Sequence, residues 1–449
     1  MKRAAIAMLF LLCTGACMRA QNAGCAVPDQ MTKDQKIPCV KAGRLMVDQP
    51  TLTPQQLANG PDFDPAAPEQ SRWDYFTEAD NPSCYFRPHY AFAKVKGDSM
   101  KFQCWHMTSD GAFYDTKGGL IRVDAVKVVT KPSKDGETSV KLYASTDTNN
   151  EHELKADYFK VKYLKPPFPN HNPRFNEAFT DIAATRIMWV LGFPADHAYP
   201  LGSVACIGCG DDPFTNDLKG NTASLKDTPN VFKVVDAERE LPWDTIKPDG
   251  DETWSWHDAA KFYSDGTWTH QQKMEYDAYR LALGLIFYHN AIPQQNRLSC
   301  AAWGPKVEGQ ARVCTQPMMY VHDLGSTFGK ERSALDVLGQ NPRGSFSDWE
   351  PQTVFSNLGA CELRATRDGD KQVLKDAQDL MIQRLQRMDP QTVKTIFRTA
   401  RFQIMDQKQV RKLRDSGAAD PGEAALEQWV NTFLKRIEEI RTAKNCKAN

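Results

Sequence analysis

One stretch, residues 281–329, constrains the fold of this chain more than any other. It begins LALGLIFYHNAIPQQNRLSC and, after a polar insertion, ends MMYVHDLGSTFG. The apolar residues at its start predict a buried helix from about Gln272 to Tyr288, because they cover most of the helix circumference. A short polar loop follows, and a hydrophobic strand then carries Asp323 into a turn beside Gly325. The stretch therefore predicts a helix, a loop and a strand that ends in Asp-x-Gly.

The residues before this stretch predict a sheet followed by a long helix. The pattern from residue 85 to 164 predicts about five strands, and the last of them places Lys160 and Lys162 on one face by alternation. A helix is expected from about Arg174 to Leu191. Glu177 lies in its first turn, where its carboxylate either interacts favourably with the helix dipole or pairs with one of the two lysines. Two further strands are expected at HAYPLGSVAC and NVFKVVDA.

The remainder of the chain has mainly helical patterns. Helices are expected at Lys371–Met388, Pro390–Ala400 and Gly422–Ala443. We expect the tryptophans between residues 239 and 272 to lie in the core. The resulting division is a signal peptide at 1–23, an irregular arm at 24–80, a β-rich region with one long helix at 81–236 and a helical region at 237–449.

The charge of the chain is balanced, with 56 Lys and Arg residues against 56 Asp and Glu residues. No net field therefore attracts the molecule to nucleic acid or to an anionic membrane. Hydrophobic residues make up 41% of the chain and charged residues 25%, which is typical of a soluble folded protein with a large core. We accordingly expect no nucleic-acid partner.

The N-terminus has the layout of a secretory signal. Lys2 and Arg3 precede an apolar run at residues 4–12, and small residues follow it. The run is too short to span a bilayer, so we expect no transmembrane span in the mature chain. The expected cleavage sites follow Ala16, Ala20 or Ala23. Cleavage after the first of these would expose Cys17 to lipid attachment, so the expected location is the periplasm, the cell surface or the extracellular space.

Ten cysteines remain once Cys13 and Cys17 are set aside, and an even number in an exported chain favours disulfides. Pairing between neighbours in sequence gives Cys25–Cys39, Cys84–Cys104, Cys206–Cys209, Cys300–Cys314 and, by elimination, Cys361–Cys446. Sequence alone does not fix this connectivity, and Cys300–Cys314 is the one specific prediction. It closes a loop of about 15 residues, which is worth on the order of 3 kcal/mol in a chain-entropy estimate. The alternative is a zinc site in which Cys206 and Cys209 supply one half.

The order of these elements resembles that of the protein-kinase-like superfamily. The likeness is to its atypical bacterial members, which are related to toxin-type serine kinases and phosphatidylinositol kinases. Four blocks also resemble a group of exported bacterial proteins: ADYFKVKYL, NEAFTDIAATRIMWVLGFPADHAYP, QQNRLSC and MMYVHDLGSTFGK. The resemblance implies an α+β, two-lobed, kinase-like fold with a β-rich N-terminal lobe and a mainly α-helical C-terminal lobe. ATP and Mg²⁺ are then the implied ligands.

The resemblance also implies roles for single residues. Kinase-like sites pair a lysine with a helical glutamate and hold Mg²⁺ with an aspartate and an amide. Lys162, with Lys160 as the second choice, would hold phosphate oxygens, and Glu177 would be its partner. Asp323 and Gln295 would be the metal ligands, the latter through its amide carbonyl.

One position departs from the kinase pattern. The residue that should orient the acceptor hydroxyl is Asn290, whose amide cannot accept a proton. Loss of a positioned base typically costs about 10²- to 10⁴-fold in rate. The sequence therefore leaves two functions open. One is an exported kinase-like enzyme that transfers a phosphoryl group weakly, and the other is an inactive pseudokinase-like binding or envelope protein stabilised by disulfides.

Overall fold

The structure is a computed structural model. It describes residues 24–448 except 29–30, 33, 48–81, 88–100, 116–118, 133–137, 145–151, 164–175, 212–223, 242, 247–253, 289–294, 330–343 and 365–370. The predicted signal peptide and Asn290 lie outside the described residues.

The structure describes sixteen strands, most of them in the first half of the chain. In order they are β1 (Cys25–Val27), β2 (Ser83–Arg87), β3 (Lys101–Met107), β4 (Phe113–Tyr114), β5 (Leu120–Ile121), β6 (Val126–Pro132), β7 (Thr138–Ala144), β8 (His152–Leu154), β9 (Tyr158–Lys162), β10 (His197–Ile207), β11 (Asn230–Arg239), β12 (Asp244–Thr245), β13 (Asn296–Trp303), β14 (Arg312–Val321), β15 (Phe355–Asn357) and β16 (Glu362–Leu363). Eight of them, β2 to β9, fall within residues 83–162, where the sequence predicted about five.

The structure describes ten α-helices, most of them in the second half of the chain. They are α1 (Ile37–Ala42), α2 (Glu177–Leu191), α3 (Trp256–Ser264), α4 (His270–Ile286), α5 (Phe346–Trp349), α6 (Lys375–Leu385), α7 (Pro390–Thr399), α8 (Phe402–Met405), α9 (Gln407–Asp415) and α10 (Pro421–Thr442), with a 3-10 turn at Leu358–Ala360. The expected α+β class, with a β-rich N-terminal region and a mainly helical C-terminal region, is confirmed. No helix in the described ranges has the length and apolarity that crossing a membrane requires.

The N-terminal region is built on a seven-stranded sheet in the order β2-β10-β11-β9-β3-β4-β5. Strand β2 also pairs with β3, so five of these strands close into a ring. The alternation predicted for β9 is confirmed, because Phe159 and Val161 pack in an apolar cluster with Tyr199 and Leu201. The intervening lysines of β9 therefore lie on the other face of the sheet.

Local sequence signals fix the ends of the two longest buried helices. Helix α2 ends at Gly192, whose φ of 85° is the left-handed conformation that glycine adopts without strain. Helix α4 begins two residues before the predicted start, because Thr269 and Gln272 form a capping box that the apolar periodicity did not include. Every residue of α2 is buried, so this helix lies between the sheet and the helical region.

The helical region contains a second sheet, in the order β1-β14-β13-β12. Strand β1 pairs with β14 through Cys25 and Cys314, so the start of the predicted irregular arm is a strand of this sheet. The predicted boundary after residue 236 falls inside strand β11. The four tryptophans of residues 239–272 are buried, as predicted.

The specific prediction, Cys300–Cys314, is confirmed, and the other four bonds also follow the pairing of neighbours in sequence. The five bonds are Cys25–Cys39, Cys84–Cys104, Cys206–Cys209, Cys300–Cys314 and Cys361–Cys446. The alternative zinc site at Cys206 and Cys209 is therefore wrong, since both thiols are consumed in one bond. The Cys300–Cys314 bond links β13 to β14 towards the turn end of their hairpin, and β14 leads directly to Asp323.

Candidate functional site

Strand register places charged side chains in two rows across the sheet. On one row, Lys101 of β3 and Asp236 of β11 lie on either side of Lys162 of β9. On the next row, Lys160 lies opposite Glu238. Residues two apart on a strand point to the same side, so these side chains project from one face. The face is buried, and ionised groups can be buried there only because opposite charges meet on it.

Helix α2 covers this face and adds two more carboxylates. Glu177 and Asp181 are four residues apart, so they lie on the same side of the helix and one turn apart. Both side chains reach Lys162, with the Oδ2 atom of Asp181 in direct contact and the Oε1 atom of Glu177 at 3.4 Å from Nζ. The lysine predicted from the strand pattern and the glutamate predicted from the helix are therefore brought together.

Asp323 reaches the same lysine from the helical region. It follows β14, and its Oδ1 atom lies 3.5 Å from Lys162 Nζ. Its neighbour Gly325 packs directly against Glu177, because a Cβ atom built at Gly325 would lie 2.1 Å from Glu177 Cγ. The backbone carbonyl of Gly325 also accepts a 2.6 Å hydrogen bond from the Thr180 hydroxyl. Helix α2 can therefore approach the Asp-x-Gly turn this closely only because residue 325 is a glycine.

Lys162 is the centre of this cluster. Its side chain is 1% exposed, and a fourth carboxylate, Glu238, lies 3.0 Å away through Oε2 without hydrogen-bond alignment. Because an ammonium group has three N–H donors, it cannot satisfy four carboxylates at once. Glu238 is also in contact with Lys160 through its other oxygen. The second-choice lysine therefore borders the cluster but pairs with a different partner from the one predicted.

The two lysines of β9 and two of the carboxylates hold each other in their charged forms. Burial lowers the pKa of Lys162, but Asp181, Asp323 and the two glutamates outweigh it, so its pKa lies well above the usual value. Burial raises the pKa of Glu238, but the two β9 lysines reverse this and bring it to about 2. The same lysines hold the pKa of Asp323 well below its usual range against the effect of burial. Asp323 is therefore an anion at neutral pH, which is the form that binds a cation.

The other buried groups shift towards their neutral forms. Burial raises the pKa of Asp181 to about 8 although Lys162 opposes the change. Burial, with Asp181 adding to it, raises the pKa of Asp236 well above the usual value. Burial and the neighbouring Lys160 lower the pKa of Lys101. At neutral pH burial therefore favours protonated carboxyl groups at Asp181 and Asp236, although Asp181 contacts Lys162.

A second buried pair lies beside the cluster. His322 Nδ1 is 2.7 Å from Asp196 Oδ2, and His322 immediately precedes Asp323. Burial, followed by the charges of Arg297 and Lys160, lowers the pKa of His322 to about 4. The imidazole is therefore neutral at physiological pH and fixes the backbone beside Asp323 through its carboxyl partner.

The site has oxygen donors that fit Mg²⁺. The amide oxygen Oε1 of Gln295 is buried and has no hydrogen-bond partner among the described residues. The backbone carbonyl of Gln295 accepts a 2.8 Å hydrogen bond from the His322 amide, which places Gln295 next to the turn that carries Asp323. A carboxylate and an amide carbonyl are ligands that Mg²⁺ prefers.

Three of the six residues singled out in the sequence meet at one point: Lys162, Glu177 and Asp323. The carboxylates of Asp181, Asp236 and Glu238 were missed. The signal for the last two was present, because an acid-x-acid alternation on one strand matches the Lys-x-Lys alternation of Lys160 and Lys162 on its neighbour. Asp181 was detectable as the residue one helical turn after Glu177.

Comparisons with known proteins give little further support. No protein-family model matches the chain, and no curated protein matches it in sequence. Among solved structures, the chain is similar to the proinflammatory kinase CtkA of Helicobacter pylori. The match has 12% identity and a TM-score of 0.34, and it covers 70% of this chain and 94% of that one. A likeness of that level assigns neither a relationship nor an activity to this chain.

Proposed function

We propose that this chain is an exported kinase-like protein that binds a nucleotide with Mg²⁺ and transfers a phosphoryl group weakly. The observation that carries the proposal is the meeting of Lys162, Glu177 and Asp323 from a strand, a helix and an Asp-x-Gly turn. Phosphoryl-transfer sites of the kinase type use these three residue types for these positions.

Each residue has a separate task in this proposal. Lys162 binds phosphate oxygens, and Glu177 orients its ammonium group from 3.4 Å. Asp323, which stays ionised, and the amide oxygen of Gln295 would hold Mg²⁺. When bound, the metal neutralises charge on the phosphates. Gly325 keeps Glu177 in place by leaving room for its side chain.

The test is a thermal-shift measurement with ATP and Mg²⁺ or Mn²⁺. We expect stabilisation of the wild-type chain, because a ligand at 100 times its dissociation constant adds about 2.7 kcal/mol to the free energy of unfolding. Asp323→Ala should abolish the shift. Asp110→Ala is the matched control, since this aspartate is exposed and lies in the β-rich region away from the cluster. A wild-type chain indifferent to nucleotide and metal would contradict the proposal.

A second candidate function is a pseudokinase-like binding or envelope protein. It is favoured by Asn290 in the sequence, which cannot serve as a base, and by the closed environment of Lys162, where carboxylates already surround the ammonium. On this alternative, Asn290→Asp produces no measurable transfer from labelled ATP to protein or water. Appearance of transfer in that variant would instead identify a disabled enzyme whose remaining site is intact.

A further inference from the structure

The buried charges around Lys162 do not balance. The described residues of the cluster supply five carboxylates and three ammonium groups: Glu177, Asp181, Asp236, Glu238 and Asp323 against Lys101, Lys160 and Lys162. The formal charge is therefore −2 when every group is ionised. A charge that is removed from water needs a partner or a proton, so this excess requires compensation. One divalent cation would supply it in full.

Asp236 locates the excess. Its side chain is 0% exposed, and neither carboxylate oxygen has a hydrogen-bond partner among the described residues. A buried acceptor without a partner is unfavourable, and more so when it is charged. Asp236 also lies opposite Lys162 on the neighbouring strand, yet the ammonium contacts other carboxylates instead. The Asp236 carboxyl group is thus buried within the cluster without a hydrogen-bond partner among the described residues.

The oxygens around Asp236 are close enough to share one ion. One carboxylate oxygen each from Asp181, Asp236 and Glu238 lies within 4.8 Å of the other two, and all three side chains are buried. An ion at their centre can contact three oxygens, which is the ligand type of Mg²⁺, Mn²⁺ and Ca²⁺. We propose that Asp181, Asp236 and Glu238 form a binding site for one hard divalent cation, distinct from the Asp323 centre.

The cation would compete with Lys162. This lysine contacts Asp181 and lies 3.0 Å from Glu238, so its ammonium group now neutralises two of the three proposed ligands. A bound divalent ion repels the ammonium and takes over both carboxylates. Lys162 then keeps Glu177 and Asp323, which are the partners that the kinase-like role requires. This consequence rests on the proposed function, whereas the cation site itself does not.

Glu238 could also join a second set, with Asp196 and His322. In that set the imidazole Nδ1 and one carboxylate oxygen already satisfy each other at 2.7 Å. The three-carboxylate set is the better candidate, because both oxygens of Asp236 are without partners. Asp196→Asn and Asp236→Asn separate the two sets, since each substitution removes a ligand from only one of them.

The experiment is titration of the folded, nucleotide-free chain with Mn²⁺, followed by the electron paramagnetic resonance signal of the free ion. We expect one Mn²⁺ to bind the wild type. Asp236→Asn should weaken that binding by at least about tenfold. Asp323→Asn and Asp196→Asn should weaken it much less than Asp236→Asn does, because neither side chain supplies a ligand and each is coupled to the site only through Lys162 or Glu238. Circular dichroism verifies folding, and Asp181→Asn replaces Asp236→Asn if the latter does not fold.

Each outcome decides the proposal. Loss of binding in Asp236→Asn, with retention in Asp323→Asn, supports a separate cation site even if no nucleotide binds. Absence of Mn²⁺ binding to the wild type would show that the excess charge is compensated by protons only. Binding that survives Asp236→Asn, or that disappears in Asp323→Asn, places the ion elsewhere. Each of these three results overturns the proposal. The thermal shift with ATP tests the nucleotide site independently.

Discussion

Substitution of Gly325 by alanine tests the contact that joins the Asp-x-Gly turn to helix α2. The added Cβ atom would lie 2.1 Å from Glu177 Cγ and 2.9 Å from its Cδ and Oε1 atoms. Real Cβ atoms do not approach heavy atoms so closely, so the glutamate must move. Its movement breaks the 3.4 Å approach to Lys162 and disturbs the hydrogen bond between Thr180 and the backbone of residue 325.

The expected cost combines two opposing effects. Replacing glycine by alanine in a compatible conformation stabilises a protein by about 0.4–1 kcal/mol through the unfolded chain. Forcing extra atoms into a packed interior typically costs about 1–3 kcal/mol. Glu177 is 2% exposed, so it has no room to swing into solvent, and we expect the clash to dominate. The net destabilisation of Gly325→Ala should be about 1–2 kcal/mol.

Urea unfolding under non-reducing conditions measures this cost. Gly304→Ala is the matched control, because its Cβ atom would meet nothing closer than Val313 O at 3.4 Å. The control should unfold within about 0.5 kcal/mol of the wild type. Equal stabilities of the two alanine variants would refute the packing of Glu177 against Gly325. The thermal shift with ATP and Mg²⁺ should also be smaller in Gly325→Ala than in the control.

Three further perturbations have defined outcomes. Lys162→Met leaves the surrounding carboxylates without their shared cation and should lower the free energy of unfolding by about 3–5 kcal/mol. Lys141→Met, at an exposed ion pair, should leave that free energy nearly unchanged, and similar losses of the two variants in urea would contradict the central place of Lys162. Folding lowers the pKa of Glu238 from 4.5 to about 2, so the stabilisation from its carboxylate is complete above about pH 4.5 and is lost as the pH falls through 2. Over that window the free energy of unfolding of the wild type should fall by up to about 3 kcal/mol more than that of Glu238→Gln. Parallel pH profiles of the two proteins would argue against the lysine contacts. The Cys361–Cys446 bond spans 85 residues, so replacing both cysteines by serine should lower the free energy of unfolding by about 4–5 kcal/mol. A loss below about 1 kcal/mol would show that the bond does not constrain the unfolded chain.

The parts of the fold with strong local signals were predictable. Helix α2 follows from its apolar residues and the glycine at its end, and the alternation in β9 placed Lys160 and Lys162 correctly on one face. The disulfides also followed from pairing neighbours in sequence, with the fifth pair left by elimination. These features depend on residues close together in the chain, so a sequence pattern contains the information.

The carboxylate cluster was predicted only in part. Lys162 and Asp323 are 161 residues apart, and kinase-like order was the only guide to their meeting. Asp236 and Glu238 were missed because acidic residues are unusual on a buried face, and because the predicted strand NVFKVVDA ended before Glu238. Their role becomes apparent from the antiparallel register with β9, which depends on how distant strands pair.

Calorimetric titration with a non-hydrolysable ATP analogue, with and without Mg²⁺, tests the central claim most directly. The claim is that Lys162, Glu177 and Asp323 form one nucleotide–metal centre. The account predicts binding to the wild type that requires Mg²⁺, is lost in Lys162→Met and persists in Lys141→Met. Binding that is absent from the wild type, or that remains unchanged in Lys162→Met, would contradict it.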